Sequence, residues 1–313
     1  MRQEKIVVVM GGPSTEAEVS RRTGRAIVDA LQEKGYAAEP MELDPPHFPE
    51  AIQKSGCSIV FNALHGKYGE DGVLQGTLDM LGIPYTGSGV LAAAVTMDKV
   101  LSKRVFLGAG ISTPRSATFH RFEREAGLEA RILADFSLPV VVKASSQGSS
   151  IGVVIVEKEA ELAAALSDAF RYDDTILVEE FIRGRELTVA VWGNEEKAEA
   201  FPVIEITTVS GRYDYASKYT KGASTHIVPA EIPPEVTKRV QELAVAAFRA
   251  CGCRGVARAD MMLAEDMTPY VIEINSMPGM TETSLVPDAG RAMGVAFPEL
   301  CERLLEMAGY RNH

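Results

Sequence analysis

The sequence has no apolar run approaching the roughly 20 residues that a membrane-spanning helix requires. Its first apolar segment, KIVVVM, is too short for a secretory signal and is typical of a buried strand. The four cysteines show neither CxxC spacing nor a paired framework, which argues against a zinc site and against disulfides. These absences predict a cytoplasmic protein of a reducing compartment, without a membrane partner.

Basic charge is also scarce, because 43 acidic side chains outnumber 32 lysines and arginines and give a net charge of −11. A nucleic-acid partner is therefore not expected, since such surfaces need clustered positive charge. A phosphate-containing ligand would have to be held by local lysines, glycines and a metal. With 46% hydrophobic residues in a chain of 313, the composition predicts a globular protein of two or three domains.

The order of helix and strand patterns predicts the fold class. The first ninety residues alternate strand and helix, as in an open parallel α/β domain with a crevice outside the carboxyl ends of its strands. A helix is then predicted from about Val90 to Leu107. The segment LPVVVKASSQGSSIGVVIVEK predicts an antiparallel hairpin, and the chain is strand-rich from about Gly184. The predicted class is α/β followed by α+β with mostly antiparallel sheet.

Two strand segments near the C-terminus carry a candidate metal site. In YVIEINS, Glu273 and Asn275 are two residues apart, so their side chains share one face of the strand. In GVARADMML, Arg258 and Asp260 share a face in the same way. If the strands pair as a hairpin, Asp260, Glu273 and Asn275 offer three oxygen ligands that suit a Mg²⁺ ion retaining water. The alternative is a salt bridge between Arg258 and Glu273, to which the amide would add nothing.

The loop between the strands of the predicted hairpin is a candidate phosphate site. Lys143 ends a buried strand, and residues 147–150 offer small side chains and free backbone N–H groups that can surround a phosphate. The lysine precedes the loop, so the segment is not a Walker A motif. The alternative is a plain Ser/Gly hairpin with a flanking lysine, and a Mg²⁺ site in the same chain favours phosphate.

A second glycine-rich segment, GSGVLA from Gly87 to Ala92, imitates the dinucleotide-binding fingerprint. The strand before it contains Pro84, and no acidic residue ends a strand about 20 residues later, as that motif requires. A tight turn between strand and helix explains the segment, so a dehydrogenase is not predicted.

Several further segments stand out between Met10 and Pro287: GGPSTEAEVS, LHGKYGEDG, YTGSG with MDK, VVKASSQGSSIGV, YDYASKY and VIEINSMPGMTETSLVP. In order and spacing they resemble the D-alanine–D-alanine ligases of the ATP-grasp fold, over nearly the whole chain. The resemblance implies an N-terminal α/β substrate-binding domain over 1–87. It also implies a two-part ATP-grasp with antiparallel sheets, made of a central subdomain over 88–183 and a C-terminal catalytic domain over 184–313.

The resemblance implies that ATP binds between the two sheets of the grasp. The positions that correspond to nucleotide contacts are Lys99, Lys143, Ser149, Ser150, Glu179 and Glu186. The two lysines would contact the α- and β-phosphates, the serine loop would close over them, and the two glutamates would contact adenine and the ribose hydroxyls, in that order. The oxygen ligands Asp260, Glu273 and Asn275 would hold two Mg²⁺ ions, for which Mn²⁺ is an alternative.

The same likeness implies how the first amino-acid substrate is held. Glu16 would take the ammonium group of the first D-alanine, with His65 near it. Ser149 and Tyr219 would be linked to Glu16 by hydrogen bonds. The alternative role for Glu16, stabilisation of the first turn of a helix, is compatible with the first.

Four further positions correspond to the reacting groups. Lys218 and Ser284 resemble the residues that meet the transferred phosphate and the carboxylate of the second substrate. Arg258 and the backbone N–H of Gly279 would form an oxyanion site. The implied chemistry has two steps: a D-alanine carboxylate attacks the γ-phosphate, and the acyl phosphate then reacts with the amine of the second D-alanine. The product would serve peptidoglycan precursor synthesis.

The resemblance leaves alternatives for the second substrate and for activity. A D-alanine–D-lactate ligase or another carboxylate–amine ligase would share the fold, but Tyr219 favours D-alanine. A nucleotide-binding protein that has lost catalysis would lack lysines or metal ligands that are present here. The long polar segment SGRYDYASKYTKGAST is predicted to close as a lid over the site. A homodimer is expected from the resemblance alone.

Overall fold

The computed structural model describes residues 4–123, 127–148, 152–208, 224–281 and 284–308. Strands in these ranges form one parallel sheet and two antiparallel sheets, in the order of the chain. This arrangement confirms the predicted fold class.

The first sheet is parallel and has the strand order β2-β1-β3. Its elements are β1 (Lys5–Met10), α1 (Ala17–Glu33), β2 (Ala37–Glu42), α2 (Phe48–Ser55), β3 (Ile59–Asn62) and α3 (Val73–Leu81). The apolar run of β1 is buried because apolar side chains pack against both faces of the sheet. The carboxyl ends of β1 and β3 lead directly to the loops that carry Glu16 and His65.

The prediction of a single helix from Val90 to Leu107 is wrong, because the chain forms two helices there, α4 (Val90–Met97) and α5 (Lys99–Gly108), which are separated by one residue. Asp98 between them is extended, and its carboxylate accepts hydrogen bonds from the N–H groups of Val100 and Leu101. An aspartate that caps a new helix competes with continuation of the old one. The break places Lys99 at the first position of α5.

The second sheet is antiparallel, with the order β4-β7-β5-β6. Its elements are β4 (Ser116–His120), a 3₁₀ turn (Arg121–Glu123), α6 (Leu128–Asp135), β5 (Val140–Ala144), β6 (Val153–Val156), α7 (Glu159–Tyr172) and β7 (Thr175–Glu180). The predicted hairpin is confirmed by the antiparallel pairing of β5 with β6. Apolar side chains of α6 and α7 cover one face of this sheet.

The third sheet is also antiparallel and follows the order β11-β10-β8-β12-β13, with β9 paired to β8. Its strands are β8 (Gly184–Gly193), β9 (Ala198–Ala200), β10 (Ile204–Thr208), β11 (Ser224–Ile227), β12 (Gly255–Ala264) and β13 (Pro269–Asn275). The helices of this part are α8 (Pro234–Ala250), α9 (Leu285–Ala292) and α10 (Phe297–Glu306).

The central strands of the third sheet have two different faces. The odd-numbered residues of β8 from Leu187 to Val191 and of β12 from Ala257 to Leu263 are apolar and pack with α8 and with Phe106 of α5 in one core. Because side chains alternate along a strand, the even-numbered polar residues must point to the opposite face. That face carries the predicted metal ligands on β12.

The last described helix returns to the first sheet. Leu304 and Leu305 of α10 share a buried core with Ile27 and Leu31 of α1. Glu302 accepts a hydrogen bond from the Tyr36 hydroxyl at 3.0 Å and pairs with Lys34 at 2.9 Å. The N-terminal sheet therefore depends on the C-terminal part of the chain for the cover of α1.

Candidate active site

The hairpin of β12 and β13 brings the predicted metal ligands together. Asp260 lies opposite Glu273 across the two strands, and Arg258 lies opposite Asn275. An irregularity in the register follows between Asp260 and Met261. The predicted pairing of the two strands is confirmed, and it places Asp260, Glu273 and Asn275 on one face. Their role as metal ligands stays a prediction.

Asp260 has cationic and hydroxyl partners. The Arg258 guanidinium donates to both carboxylate oxygens, with Nε–Oδ1 at 2.7 Å and Nη2–Oδ2 at 2.6 Å. Thr188, opposite Asp260 on β8, donates its hydroxyl to Oδ1 at 2.6 Å. The sequence interpretation missed Thr188, because the pairing of β8 with β12 joins segments some 70 residues apart.

Lys99 lies between the third sheet and the loop that follows β5. Its Nζ is 3.5 Å from Glu273 Oε2 and donates to the backbone oxygen of Gln147 at 2.6 Å. One ammonium group thus faces both the predicted metal ligands and the predicted phosphate loop. Asn275 is held by the N–H of Met277, which donates to Oδ1 at 3.0 Å where the strand ends before Pro278.

A buried cluster of charged groups lies where α5 meets the second sheet. Glu179 of β7 pairs with Lys143 of β5, with Oε2–Nζ at 2.5 Å, and with Lys103 of α5, with Oε1–Nζ at 3.0 Å. All three side chains are buried. Burial lowers the pKa of Lys103, and the attraction of Glu179 opposes that shift. The sequence interpretation missed Lys103, although its spacing of four from Lys99 places both lysines on one face of α5.

The N-terminal sheet contributes a second acidic centre. The Glu16 carboxylate lies between two glycine loops, because a Cβ built on Gly66 or on Gly148 would lie 3.1 or 3.3 Å from its Oε2. Glu16 is 9% exposed. The side chain therefore connects the first sheet with the predicted phosphate loop, as a group that binds substrate between them would.

His65 is buried beside Glu16 and is fixed from both ring nitrogens. Its Nε2 is 3.1 Å from the Thr23 hydroxyl, and its Nδ1 is 3.5 Å from Glu70 Oε1. The Ser14 hydroxyl donates to the His65 backbone oxygen at 2.8 Å. Thr23 was not predicted as a site residue, because its contact with His65 depends on how α1 packs. Glu70 was not predicted either, because its contact depends on how the loop after β3 folds back on His65.

Ser284 immediately precedes α9, where backbone N–H groups point out of the helix. Its hydroxyl oxygen accepts a hydrogen bond from the Thr281 N–H at 3.0 Å. A Cβ on Gly279 would lie 3.0 Å from that same oxygen, so the Pro-Gly segment runs against the helix end. A helix N-terminus with an adjacent hydroxyl suits a carboxylate ligand.

Of the remaining predicted positions, one lies within the described ranges and four lie outside them. Glu186 lies on β8, half-buried, two residues before Thr188 and so on the same face of the sheet. Four predicted residues lie outside the described ranges: Ser149, Ser150, Lys218 and Tyr219. The predicted lid also lies outside them, except for its last two residues.

The donor chemistry of the polar face fits Mg²⁺. Two carboxylates and one amide share the face. The described ranges contain no group of three or more His, Cys, Asp or Glu side chains that could hold a metal ion, so the amide of Asn275 is needed to complete the set. Hard cations prefer such oxygen ligands and complete their shell with water or phosphate oxygens. No helix in the described part of the chain is long and apolar enough to cross a membrane.

Comparison with known proteins agrees with this geometry. The family profiles "D-ala D-ala ligase N-terminus" and "D-ala D-ala ligase C-terminus" match residues 46–88 and 105–306. The D-alanine–D-alanine ligase of Desulforudis audaxviator is 48% identical over 98% of this chain and 99% of its own length. That of Pelotomaculum thermopropionicum is 47% identical over 97% and 96% of the two chains.

Solved structures give the same result. The Bacillus anthracis D-alanine–D-alanine ligase complexed with ATP superposes with a TM-score of 0.83 at 34% identity, covering 97% of this chain and 96% of that one. The VanG D-Ala:D-Ser ligase of Enterococcus faecalis also gives a TM-score of 0.83, at 32% identity over 97% and 99% of the chains. With the ATP-grasp architecture and sequence relatives that match along its whole length, the chain belongs to the D-alanine–D-alanine ligase family of enzymes.

Proposed function

We propose that the protein joins two D-alanine molecules to D-alanyl-D-alanine with hydrolysis of ATP to ADP and phosphate, as a step of peptidoglycan precursor synthesis. The observation that carries this proposal is the position of Lys99, whose ammonium lies between Glu273 and the Gln147 carbonyl. A polyphosphate placed there would meet the lysine, the metal ligands and the loop together. The family membership supplies the identity of the amino acids.

The nucleotide would lie between the second and third sheets. Lys99 and Lys143 would bind its α- and β-phosphates, Glu179 the adenine, and Glu186 the ribose hydroxyls. Bound by Asp260, Glu273 and Asn275, two Mg²⁺ ions would neutralise phosphate charge and polarise the γ-phosphate. Mn²⁺ has the same preference for oxygen ligands and is the proposed alternative.

The first D-alanine would place its ammonium at Glu16, next to His65. This position would direct the substrate carboxylate toward the γ-phosphate of the bound nucleotide. Attack of that carboxylate gives an acyl phosphate and ADP. This chemistry needs no covalent enzyme nucleophile, so the contribution of the protein is to position the reactants and to disperse charge.

The second D-alanine would bind with its carboxylate at Ser284 and the N-terminus of α9. Its amine attacks the acyl phosphate, and the oxyanion that forms is stabilised by Arg258 and the Gly279 N–H. Phosphate then leaves and the dipeptide remains. Because Arg258 also holds Asp260, the same side chain links the oxyanion site to the metal ligands.

The remaining contacts are proposed for residues outside the described ranges. Ser149 and Tyr219 would connect to Glu16, Ser150 would cover the phosphates, and Lys218 would meet the transferred phosphate. The segment 210–225 would close over the site and keep water from the acyl phosphate.

The decisive experiment is phosphate release from ATP and Mg²⁺ with D-alanine, L-alanine, D-alanine plus D-lactate, or D-alanine plus D-serine, with mass analysis of the product. We expect release with D-alanine alone and formation of the dipeptide. Excess ester with D-lactate, or mixed dipeptide with D-serine, would reassign the second substrate. ATP binding without turnover on any of these would refute the proposed reaction.

Three organisational features are proposed with this function. The division into 1–87, 88–183 and 184–313 is supported by the three sheets, each of which lies within one range. A cytoplasmic location follows from the nucleotide substrate.

A homodimer is supported by the exposed apolar side chains Val73 and Met80 of α3 and Leu91 of α4, of which Met80 is 90% exposed. Light scattering at micromolar concentration should give twice the chain mass, and a monomer would refute the dimer.

A further inference from the structure

Lys103 is a buried lysine to which the proposed reaction assigns no role. Its side chain is 3% exposed and enters the space between α5, the second sheet and the segment before β4. A buried ammonium is costly unless it is paired and its donors are used. The contacts of this side chain therefore indicate what it does.

All three donors of the ammonium have acceptors. Lys103 Nζ donates to the Thr113 hydroxyl and to the Pro114 carbonyl, each at 2.7 Å, and pairs with Glu179 Oε1 at 3.0 Å. Thr113 in turn donates to the Val271 carbonyl of β13 at 2.8 Å. The position of Lys103 is thus fixed by two adjacent groups of the segment before β4 and by Glu179 of β7.

Lys143 is held differently. Among the described residues its ammonium has one hydrogen-bond acceptor, Glu179 Oε2, and it stands at the end of β5 beside the predicted phosphate loop. Glu179 therefore pairs through Oε1 with the fixed ammonium of Lys103, and through Oε2 with the ammonium of Lys143, which has this one acceptor among the described residues. When Lys143 turns to a phosphate, the buried carboxylate of Glu179 would be unpaired without Lys103, and an unpaired buried charge is strongly disfavoured.

We propose that Lys103 is a positioning residue of the nucleotide site, which fixes the direction of the Glu179 carboxylate so that it accepts a hydrogen bond from the 6-amino group of adenine. Lys143 is thereby released to the phosphates. This inference rests on the proposed function, in which Glu179 contacts adenine. Lys103 itself touches neither the nucleotide nor the reacting atoms.

The consequence is base selectivity. Purine riboside 5′-triphosphate lacks the 6-amino group and is otherwise the same nucleotide as ATP. A hydrogen bond to a charged acceptor distinguishes the two by about tenfold or more in kcat/KM. Without Lys103, the Glu179 carboxylate turns with Lys143 toward the phosphates, and the preference for ATP is lost.

The test compares Lys103→Met with Lys238→Met, which removes an exposed lysine from α8. For Lys103→Met we expect the ATP preference to fall to about threefold or less, with a rise in the KM for ATP of about tenfold and a smaller change in kcat. Lys238→Met should retain both wild-type values. A folded Lys103→Met protein with the wild-type preference would overturn the proposal.

A second variant covers the case in which Lys103→Met does not fold. Thr113→Val keeps the lysine but removes one of its three anchors, and it should lower the ATP preference in the same direction. An unchanged preference in this variant also overturns the proposal.

The wild type and Glu179→Leu, which has no acceptor atom, separate this inference from the proposed function. If the wild type shows no preference for ATP over the purine riboside nucleotide, or if Glu179→Leu retains it, the adenine contact itself is wrong. If Glu179→Leu loses the preference and Lys103→Met retains it, the adenine contact stands and the role of Lys103 is wrong.

Discussion

Single residues on the polar face of the third sheet have more than one task. Asp260, a predicted metal ligand, also accepts hydrogen bonds from Arg258 on its own strand and from Thr188 on the neighbouring strand β8. Such partners orient a ligating carboxylate and adjust its affinity for the metal. A neutral residue should therefore not replace Asp260 in function, even when its side chain has the same size.

We predict that Asp260→Asn lowers kcat by about 100-fold or more, in the range found when a transition-state charge loses its stabilising group. The Mg²⁺ concentration needed for half-maximal rate should rise as well. Phosphate release measured against Mg²⁺ concentration tests both. Asp266→Asn, in the turn after β12, is the matched control and should behave as wild type.

The thiols offer a prediction about pH. Burial raises the pKa of Cys251 to about 12 and raises the pKa of Cys253 and Cys301 in the same direction. Cys57 is partly exposed. At pH 8, a disulfide reagent should modify one thiol in the native protein and four in denaturant, and Cys57→Ser should abolish the native reaction.

The same shift determines the alkaline limit of stability. Each buried thiol keeps its proton when folded and loses it near pH 9 when unfolded. The stability that depends on these thiols is therefore complete below pH 9 and is lost as the pH rises toward 12. The urea concentration at the midpoint of unfolding should decrease as the pH is raised from 9 to 11. A midpoint that stays constant over this range would contradict the raised pKa of the buried thiols.

At the scale of elements, Asp98 joins α5 to the predicted phosphate loop. It caps α5 through two backbone N–H groups and accepts the Ser145 hydroxyl at 2.9 Å. Asp98→Ala should lower the free energy of unfolding by about 0.5–2 kcal/mol, the usual value of such a cap. It should also raise the KM for ATP, because Ser145 begins the loop.

Urea unfolding and steady-state kinetics measure the two effects of Asp98→Ala. Asp98→Asn retains an acceptor oxygen and serves as the control. If Asp98→Asn loses as much stability as Asp98→Ala, the capping role is wrong.

Sequence patterns predicted the elements whose signal is local. The alternation in β12 and β13 was enough to predict the shared face of Asp260, Glu273 and Asn275. The break at Asp98 was missed because the segments on both sides have helical patterns, and a capping aspartate resembles any polar residue inside a helix. Thr188 and Lys103 were missed because their roles depend on a strand register and on a helix-to-sheet contact between distant segments.

At the scale of the whole molecule, the first and third sheets meet at a close backbone contact. Gly255, at the start of β12, has φ +72°, and a Cβ there would lie 2.9 Å from Gly87 Cα and 3.0 Å from its N. Arg254 donates to the Gly87 carbonyl at 2.9 Å and lies over the Tyr85 ring. This contact fixes the segment that follows the N-terminal sheet against the start of β12, the strand that carries Asp260.

Gly255→Ala should lower the free energy of unfolding more than Gly252→Ala does. Both positions have positive φ, which costs an alanine about 1–2 kcal/mol, but a Cβ on Gly252 meets no atom within 4 Å. The excess for Gly255, about 1–3 kcal/mol for overpacking, measures the contact between the sheets. Chemical unfolding of the two variants tests this, and equal losses would mean that the contact adjusts freely.

The packing of α10 on α1 has a consequence for how the protein is made. Part of the apolar side of α1 is covered by residues near 300, so this part stays exposed on the ribosome while some 270 further residues are added. At usual rates of translation that interval lasts roughly 15–60 s. During it the nascent N-terminal sheet is open to chaperones, proteases and neighbouring chains. Nascent chains that are stalled on the ribosome before α10 is made should therefore be cleaved by protease far faster than the released enzyme.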